Sequence, residues 1–184
     1  MRKCWLVIIF FLIVSLQAQD SMFISSDRQT WLGIGPGLGS INSAAHQSTV
    51  FGMNFNHASS GYIYKARYLY LHEIVMNIMG DPPPADDVWE TGLLFGFSSR
   101  KEDTIVSLSA GISHVGGVRH EFVNLLSGYK YDKIDISTVG LPVEAQAVFS
   151  FSQSVGMSVI LFGDFNSENK IFGAQFCLII GKLG

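Results

Sequence analysis

The sequence predicts an all-β protein, an eight-stranded antiparallel up-and-down transmembrane β-barrel, and three observations lead to this fold class. In residues 62–71, tyrosines on one face alternate with a second face that carries Lys65 and Arg67, and a period of two is typical of a strand. Cations in mid-strand opposite an aromatic face suit a barrel with a polar lumen and an apolar exterior. The 184-residue chain is 48% hydrophobic and only 15% charged, which is little charge for a soluble surface. The third observation is an export signal ahead of the strands.

Residues 1–18 are predicted to be a signal peptide, and residues 19–184 a single outer-membrane β-barrel domain. A basic start precedes an apolar run over residues 5–16, and Ala18 supplies the small residue of a cleavage site. The run is shorter than the ~20 residues of a spanning helix; a retained N-terminal anchor is the alternative. After cleavage Cys177 is the only cysteine, so no intramolecular disulfide is expected.

The first two strands are predicted over residues 31–40 and 49–57. Glycines alternate with apolar residues in the first strand, and they are expected to face a narrow lumen that side chains of other strands fill. A nucleotide-binding loop is a poorer interpretation, because no Lys-Ser/Thr pair closes the run and no helix follows it. Pro36 has no N–H to donate and predicts a bulge or a local gap. In the second strand, Phe and Met alternate with Gly and Asn.

Strands three to five are predicted over residues 62–71, 88–98 and 104–115. A Ser-Ser-Gly turn precedes the third strand, and a charged turn joins the fourth to the fifth. Between strands three and four, residues 74–87 contain three consecutive prolines, which exclude both a helix and a strand ladder. That segment is therefore predicted to be an exposed loop.

Strands six to eight are predicted over residues 134–152, 155–165 and 170–183, joined by short polar turns. Residues 116–133 are polar and of mixed charge, and they are predicted to be a long loop that holds a small helix or cap. Short and long connections alternate along the chain, as in barrels with short periplasmic turns and long outer loops. An even number of strands puts both termini on the periplasmic rim.

The expected partners follow from this topology. Residues 41–48, 74–87 and 116–133 form the outer loops and can reach a surface ligand. Outer-membrane lipid and the barrel-insertion machinery are the other expected partners. The net charge of −3 offers no basic footprint for nucleic acid, so none is expected, and no cofactor is predicted.

Five polar residues in mid-strand are the candidate site: Lys65, Arg67, Glu90, Glu144 and Gln146. By strand parity all five point into the lumen. The interior of an eight-stranded barrel is just wide enough for side chains to fill, and buried charges there must be paired. We interpret the set as a polar network that plugs the lumen. The alternative is a narrow porin whose ion path these charges line.

Aromatic residues near the strand ends are candidates for interfacial belts, since Trp and Tyr are enriched where a membrane meets water. The candidates are Trp31, Trp89, Tyr62 and Tyr70. Tyrosines occur along the whole of the third strand, so some of them are expected to serve packing as well.

No catalytic residue and no metal site are predicted, because the five histidines show no spacing motif and no paired cysteines occur. A barrel enzyme acting on outer-membrane lipid is one alternative function, with His114, His120 and Glu121 converging at the outer rim. A soluble periplasmic barrel that holds a lipid is another. The main hypothesis is a structural or surface-interaction role in the cell outer membrane.

Four features together resemble the small outer-membrane β-barrel proteins common in Bacteroidota. They are the Leu-Gln-Ala-Gln signal end, the glycine-rich run over residues 33–39, Gly-Leu-Pro-Val-Glu at 140–144, and Gly-Lys-Leu at 181–183. The resemblance extends over nearly the whole mature chain, and it implies an OmpA-like or porin-like barrel domain in the outer membrane. The chain departs from the proteobacterial pattern at Gly184, where no terminal aromatic residue stands.

Overall fold

The computed structural model describes residues 28–42, 47–75, 84–125 and 128–183. For residues 122–125 and 128–130 it describes the backbone alone. The predicted signal peptide lies outside these residues. Their regular secondary structure consists entirely of β-strands. Within the described ranges, no helix is long and apolar enough to cross a membrane.

Eight antiparallel strands close into one barrel in which each strand pairs with its neighbours in sequence and β8 pairs with β1. This confirms the predicted fold class. The strands are β1 Gln29–Ile41, β2 Gln47–Ser59, β3 Tyr62–Glu73, β4 Asp87–Lys101, β5 Thr104–Leu125, β6 Gly128–Ser150, β7 Val155–Asn166 and β8 Lys170–Lys182.

The barrel has two distinct ends. The turn rim carries the tight connections after β2, β4 and β6, together with the N-terminal end of β1 and the C-terminal end of β8. The loop rim carries the connections after β1, β3, β5 and β7. Residues 43–46 and 76–83 of the predicted outer loops lie outside the described residues.

The strands are strongly tilted. A path around the ring can be drawn from each residue to the one directly opposite it on the next strand. Such a path starts at Thr30 and returns to β1 at Ser40, ten residues further along the strand. The path runs through His57, Tyr64, Phe95, Ala110, Val143, Gly163 and Phe172. Such a stagger goes with strand tilts of ~35–45° and an interior that side chains can fill.

The β5–β6 hairpin corrects the sequence prediction most. Residues 116–133 were predicted to be a loop with a small helix, but β5 continues to Leu125 and β6 begins at Gly128. The pairing of β4 with β5 ends at Val118, and the pairing of β6 with β7 begins at Gly140. At about 3.3 Å per residue, the part of β5 beyond Val118 extends the hairpin by roughly 23 Å. At its base the hairpin buries Ile136 in the apolar core, but residues 119–132 lack the alternation that marks the barrel strands.

Tight contacts between β1 and β8 explain the glycines of the first strand. A Cβ at Gly35 would lie 1.8 Å from the carbonyl oxygen of Phe176, and one at Gly37 would lie 2.3 Å from that of Ala174. The β1–β8 pairing keeps one register on both sides of Gly35 and Pro36 but lacks pairs at these two residues. Pro36 therefore lies at a local gap, one of the two outcomes predicted for it.

Exposure alternates along the strands, with apolar side chains outside the ring. On β8 the exposed apolar residues run from Phe172 to Ile180, which at a tilt of ~40° is a band roughly 20 Å tall. Polar or charged residues border it, with Lys170 at one end and Lys182 at the other.

Buried apolar side chains form a layer towards each end of the interior. At the turn rim the buried side chains are Trp31, Ala58, Ile63, Ile105, Val148, Ile179 and Leu183. At the loop rim they are Ile41, Val50, Leu71, Val88, Val115, Ile136 and Ile171. Cross-strand pairs such as Ile105 with Val148 and Leu71 with Val88 join neighbours within each layer. The polar interior therefore lies between two layers of buried apolar side chains.

Candidate functional site

Lys65 lies in the polar interior and is hydrogen-bonded to two other strands, β5 and β6. Its Nζ donates to Glu144 Oε1 at 2.7 Å, to Gln146 Oε1 at 2.8 Å and to Ser107 Oγ at 3.0 Å. All these side chains are buried. Because β3 and β6 are not neighbours in the ring, the Lys65–Glu144 ion pair crosses the lumen.

Arg67 links two carboxylates. Its Nε and Nη2 donate to Glu90 Oε1 at 3.1 and 2.6 Å, and its Nη1 donates to Glu144 Oε2 at 3.1 Å. The guanidinium carbon also lies 5.7 Å from the centre of the Phe162 ring. The structure thus brings all five sequence-predicted lumen residues into one cluster, in which Glu144 binds both cations.

A second polar group lies nearer the loop rim, and the sequence prediction did not name its central residue. Asp164 of β7 is fully buried, accepts a short hydrogen bond from Ser113 Oγ, and accepts another from Asn166 Nδ2 at 2.9 Å. A Cβ at Gly140 would lie 2.1 Å from Asp164 Oδ1, so this glycine makes room for the carboxylate. Strand parity was the available signal, because the outward apolar residues of β7 place position 164 inside.

Asparagine and glutamine side chains extend the polar interior beside β1. Asn56 Nδ2 donates to Asn54 Oδ1 at 2.6 Å, and Gln175 Nε2 donates to the carbonyl oxygen of Gly35 at 2.7 Å. Cys177, the one described cysteine, is a buried free thiol 3.7 Å from Asn54 Nδ2. These contacts use the space that the glycines of β1 leave.

Of the four predicted belt aromatics, three lie outside the barrel and Trp31 does not. Tyr62 and Tyr70 are exposed, and Trp89 is half-buried against the His114 ring, with ring centres 5.1 Å apart. Trp31 is 1% exposed and belongs to the apolar layer at the turn rim. Its prediction as a belt residue was wrong, because it shares strand parity with the inward glycines and fills the narrow end of the lumen.

A hydrogen-bonded cluster joins β3 to β4 at the loop rim, beyond the apolar band. Asp87 Oδ1 accepts from Tyr70 Oη at 2.7 Å and lies 2.7 Å from His72 Nδ1. Partial burial raises the pKa of Asp87, but the hydrogen bonds from His72 and Tyr70 lower it more, so the pKa lies below its ordinary value. The carboxylate is therefore ionised at neutral pH.

Asp86 fastens the β3–β4 connection to the base of the projecting hairpin. Its Oδ1 accepts the backbone N–H of His120 at 2.7 Å and lies 3.3 Å from His120 Nδ1. Its own backbone N–H donates to Glu73 Oε2 at 3.1 Å. The hairpin is thus held at its base from the β4 side.

Solved structures of small bacterial surface barrels share this arrangement of strands. Neisserial surface protein A matches with a TM-score of 0.59 at 9% identity, over 84% of this chain and 97% of that one. Ail, the attachment invasion locus protein of Yersinia pestis, matches at 0.58 and 10%, over 84% and 98%. The N-terminal β-barrel domain of Pseudomonas aeruginosa OprF matches at 0.57 and 11%, over 85% and 98%.

The chain has the fold of the small outer-membrane β-barrels. At these identities the likeness establishes the fold alone, and the narrower resemblance to Bacteroidota proteins stays a prediction. No protein-family model and no curated protein matches the chain.

Within the outer-membrane barrel fold, the histidines considered for catalysis have separate partners. His114 Nε2 lies 3.1 Å from Ser137 Oγ, whereas His120 binds Asp86. His57 lies on the turn-rim side, with Nδ1 2.8 Å from Thr30 Oγ1. In the described part of the chain, no group of three or more His, Cys, Asp or Glu residues could hold a metal ion.

Proposed function

We propose that this protein is an outer-membrane barrel whose filled body anchors the projecting β5–β6 hairpin outside the cell, where it contacts a surface ligand. The observation that carries the proposal is the hairpin itself, which continues beyond the barrel strands on either side of it. A hairpin of this length is not needed to close the barrel. Its position on a rigid, sealed scaffold suits recognition.

The exterior of the barrel supports membrane insertion. Exposed Phe, Leu, Ile, Val, Met and Tyr side chains surround it, in a band comparable to the ~25 Å apolar band of outer-membrane barrels. Tyr62 lies near the turn rim, and Tyr70 and Trp89 lie near the loop rim, as expected of interfacial belts. The turn rim would then face the periplasm, with outer-membrane lipid and the insertion machinery as partners.

The interior supports a plugged lumen rather than a channel. The buried ion cluster around Glu144 fills the centre, and an apolar layer closes each end. An ion moving through this interior would have to break the pairs of Lys65 and Arg67 and also cross two layers without polar partners. A narrow porin is therefore the weaker hypothesis.

The charge of the hairpin bears on the kind of ligand. Residues 116–139 contain three basic and three acidic residues, so the hairpin offers no excess of positive charge to a polyanion. Ail of Yersinia pestis has been solved with the heparin analogue sucrose octasulfate. For the present chain, a protein partner fits the balanced charge better than a sulfated polysaccharide.

Cysteine labelling on whole cells tests the proposal. Asp135→Cys, in a Cys177→Ser background, places a thiol on the hairpin at an exposed position. Lys101→Cys is the matched control at the turn rim. A membrane-impermeant maleimide is expected to label the first variant on intact cells, and the second only after the cells are lysed.

Fractionation complements the labelling. The protein is expected in the outer-membrane fraction, with a gel mobility that changes on boiling. Recovery in the soluble periplasm, or equal labelling of both variants on intact cells, would contradict the proposal.

A further inference from the structure

The buried charges of the lumen do not sum to zero. Among the residues that the structure describes, five charged side chains are buried inside the barrel: Lys65, Arg67, Glu90, Glu144 and Asp164. When all five are ionised, they carry two positive and three negative charges. Burying a carboxylate without a counter-charge is so costly that the group neutralises instead. The lumen therefore needs one further positive charge.

Hydrogen bonds show which carboxyl groups are balanced by cations. Glu144 accepts from Lys65 at Oε1 and from Arg67 at Oε2, so each of its oxygens has a cationic donor. Glu90 accepts from Arg67 at Oε1 alone, and its Oε2 is buried without a hydrogen-bond partner among the described residues. One guanidinium is thus shared by two carboxylates, and Glu90 is only partly balanced.

Asp164 has no cation among its hydrogen-bond donors in the described part of the chain. Its two oxygens accept from the neutral side chains of Ser113 and Asn166, and the residue is fully buried. The other titratable group of this interior is the Cys177 thiol, which lies beside Asn54. The excess negative charge therefore belongs to Asp164 and to Glu90, the partly balanced carboxyl group.

Ser113 of β5 lies between these two carboxyl groups. It is directly opposite Gly92, two residues from Glu90 on β4, and directly opposite Gly140 on β6. A Cβ at Gly92 would lie 3.2 Å from Glu90 Oε1 and 3.5 Å from Ser113 Cβ, and one at Gly140 would lie 2.6 Å from Ser113 Oγ. The two glycines leave the hydroxyl group in contact with this shared polar surface. A charge on one carboxyl group then opposes a charge on the other, and their titrations are coupled.

We propose that at neutral pH the buried carboxyl groups of Glu90 and Asp164 hold one proton between them. The proton brings the buried charge of the lumen to zero. A metal ion is a poorer source of this charge, because no group of three or more His, Cys, Asp or Glu residues converges on one in the described ranges. The inference concerns the interior of the barrel and does not depend on the ligand of the hairpin.

The shared proton makes the stability of the barrel depend on pH. In the unfolded chain both carboxyl groups are ionised above about pH 5, because Asp and Glu in water titrate near pH 4. The folded protein therefore binds one proton more than the unfolded chain, so its stability falls as the pH rises, until the folded pair releases the proton. This proton alone is expected to raise the equilibrium constant for unfolding by up to about tenfold per pH unit.

The first test is urea unfolding of the full-length barrel in lipid vesicles, between about pH 6 and about pH 8. Asp164→Asn and Glu90→Gln each remove one carboxylate, so the remaining charges balance without a proton. Both variants are expected to lose the wild-type decrease in stability by up to about tenfold per pH unit. Asp135→Asn is the matched control, because its carboxylate is 82% exposed, and it should keep the wild-type pH dependence.

Infrared spectroscopy of the folded barrel detects the proton directly. At neutral pH the wild-type protein is expected to show the C=O stretching band of a protonated carboxyl group, shifted in D₂O. Asp164→Asn and Glu90→Gln are expected to lose this band, since the carboxyl group that remains in each is ionised. Asp135→Asn is expected to retain it. If either buried variant fails to fold, the wild-type band still decides.

Absence of the band from the wild-type protein would overturn the inference, and so would its persistence in a folded Asp164→Asn or Glu90→Gln variant. An unchanged pH dependence of unfolding in both variants would contradict it as well. A wild-type stability that follows the sodium concentration at constant ionic strength, with no infrared band, would assign the extra charge to a metal ion instead.

Discussion

Single residues explain why the charged interior holds together. Glu144 accepts hydrogen bonds from both Lys65 and Arg67, while Glu90 binds Arg67 alone. Removing one partner of a buried ion pair lowers protein stability far more than replacing both partners by apolar residues, because it leaves an uncompensated buried charge. Glu144 is therefore the residue on which the cluster depends most.

Glu144→Leu is expected to lower the free energy of unfolding by about 3–5 kcal/mol, since two buried cations lose a partner. Urea unfolding in lipid vesicles, followed by tryptophan fluorescence, measures the loss. Ser109→Ala is the matched control, because Ser109 faces Glu144 on the next strand and its buried hydroxyl has no hydrogen-bond partner. A similar loss of unfolding free energy for both variants would contradict the central role of Glu144 in stabilising the ion cluster.

Gly111→Ala tests the close approach of β4 and β5. The added Cβ would lie 1.9 Å from the carbonyl oxygen of Leu93, a backbone atom that cannot rotate away. A loss of about 1–3 kcal/mol is expected from such overpacking. At Gly163 the nearest atom, a side-chain carbon of Phe172, is 3.3 Å away. Gly163→Ala is therefore the control, with a clearly smaller loss in the same unfolding assay.

At the scale of elements, the β5–β6 hairpin is the feature that distinguishes the molecule. Its lower part is joined to β4 and β7, and beyond Val118 its backbone pairs within its own ladder, with Asp86 bound to His120 and Arg119 bound to the backbone of Glu168 at its base. Opening of the upper part should therefore be local and should leave the barrel intact. The outer-loop prediction placed this segment correctly on the loop rim but gave it the wrong structure.

Asp86→Ala is expected to speed hydrogen exchange of the His120 amide by about three- to tenfold, the effect of losing one hydrogen bond of ~1 kcal/mol. Exchange in the barrel strands should not change. Asp135→Asn, on the other strand of the hairpin, is the comparison and should leave the His120 amide as in wild type. Faster exchange in both variants would mean that Asp86 is not the fastening residue.

At the scale of the whole molecule, we propose that the two apolar layers and the ion cluster together plug the lumen. In this proposal either layer opposes the passage of ions, because hydrocarbon side chains make up nearly all of it. The closed ring also leaves no barrel strand edge unpaired, apart from the hairpin. Rigidity of the body and exposure of the hairpin are thus two results of one topology.

Planar-bilayer recording checks the sealed interior. The wild-type protein is expected to give no steady conductance, and Arg67→Gln should also stay closed, because the apolar layers remain. A steady conductance in wild type that Glu90→Gln or Arg67→Gln abolishes would contradict the plug and favour a narrow porin.

The sequence by itself determined the strand count and the inward direction of Lys65, Arg67, Glu90, Glu144 and Gln146. Each follows from alternation, which is local: neighbouring side chains on a strand point to opposite faces whatever the strand pairs with. The same rule applied to Trp31 points inside, where the structure places it, but the prediction followed its residue type and assigned it to the membrane interface. Residue type is the weaker guide where a narrow lumen has to be filled.

Only the tertiary structure decided which inward groups meet and where the pairing stops. Lys65 reaches Glu144 across the lumen because the stagger of the ring brings their strands to the same level. Asp164 joins Ser113 because Gly140 leaves room between them. Beyond Val118 the backbone of β5 pairs with β6 and no longer with β4. Register and closure depend on contacts between strands far apart in sequence, and a period of two carries no information about them.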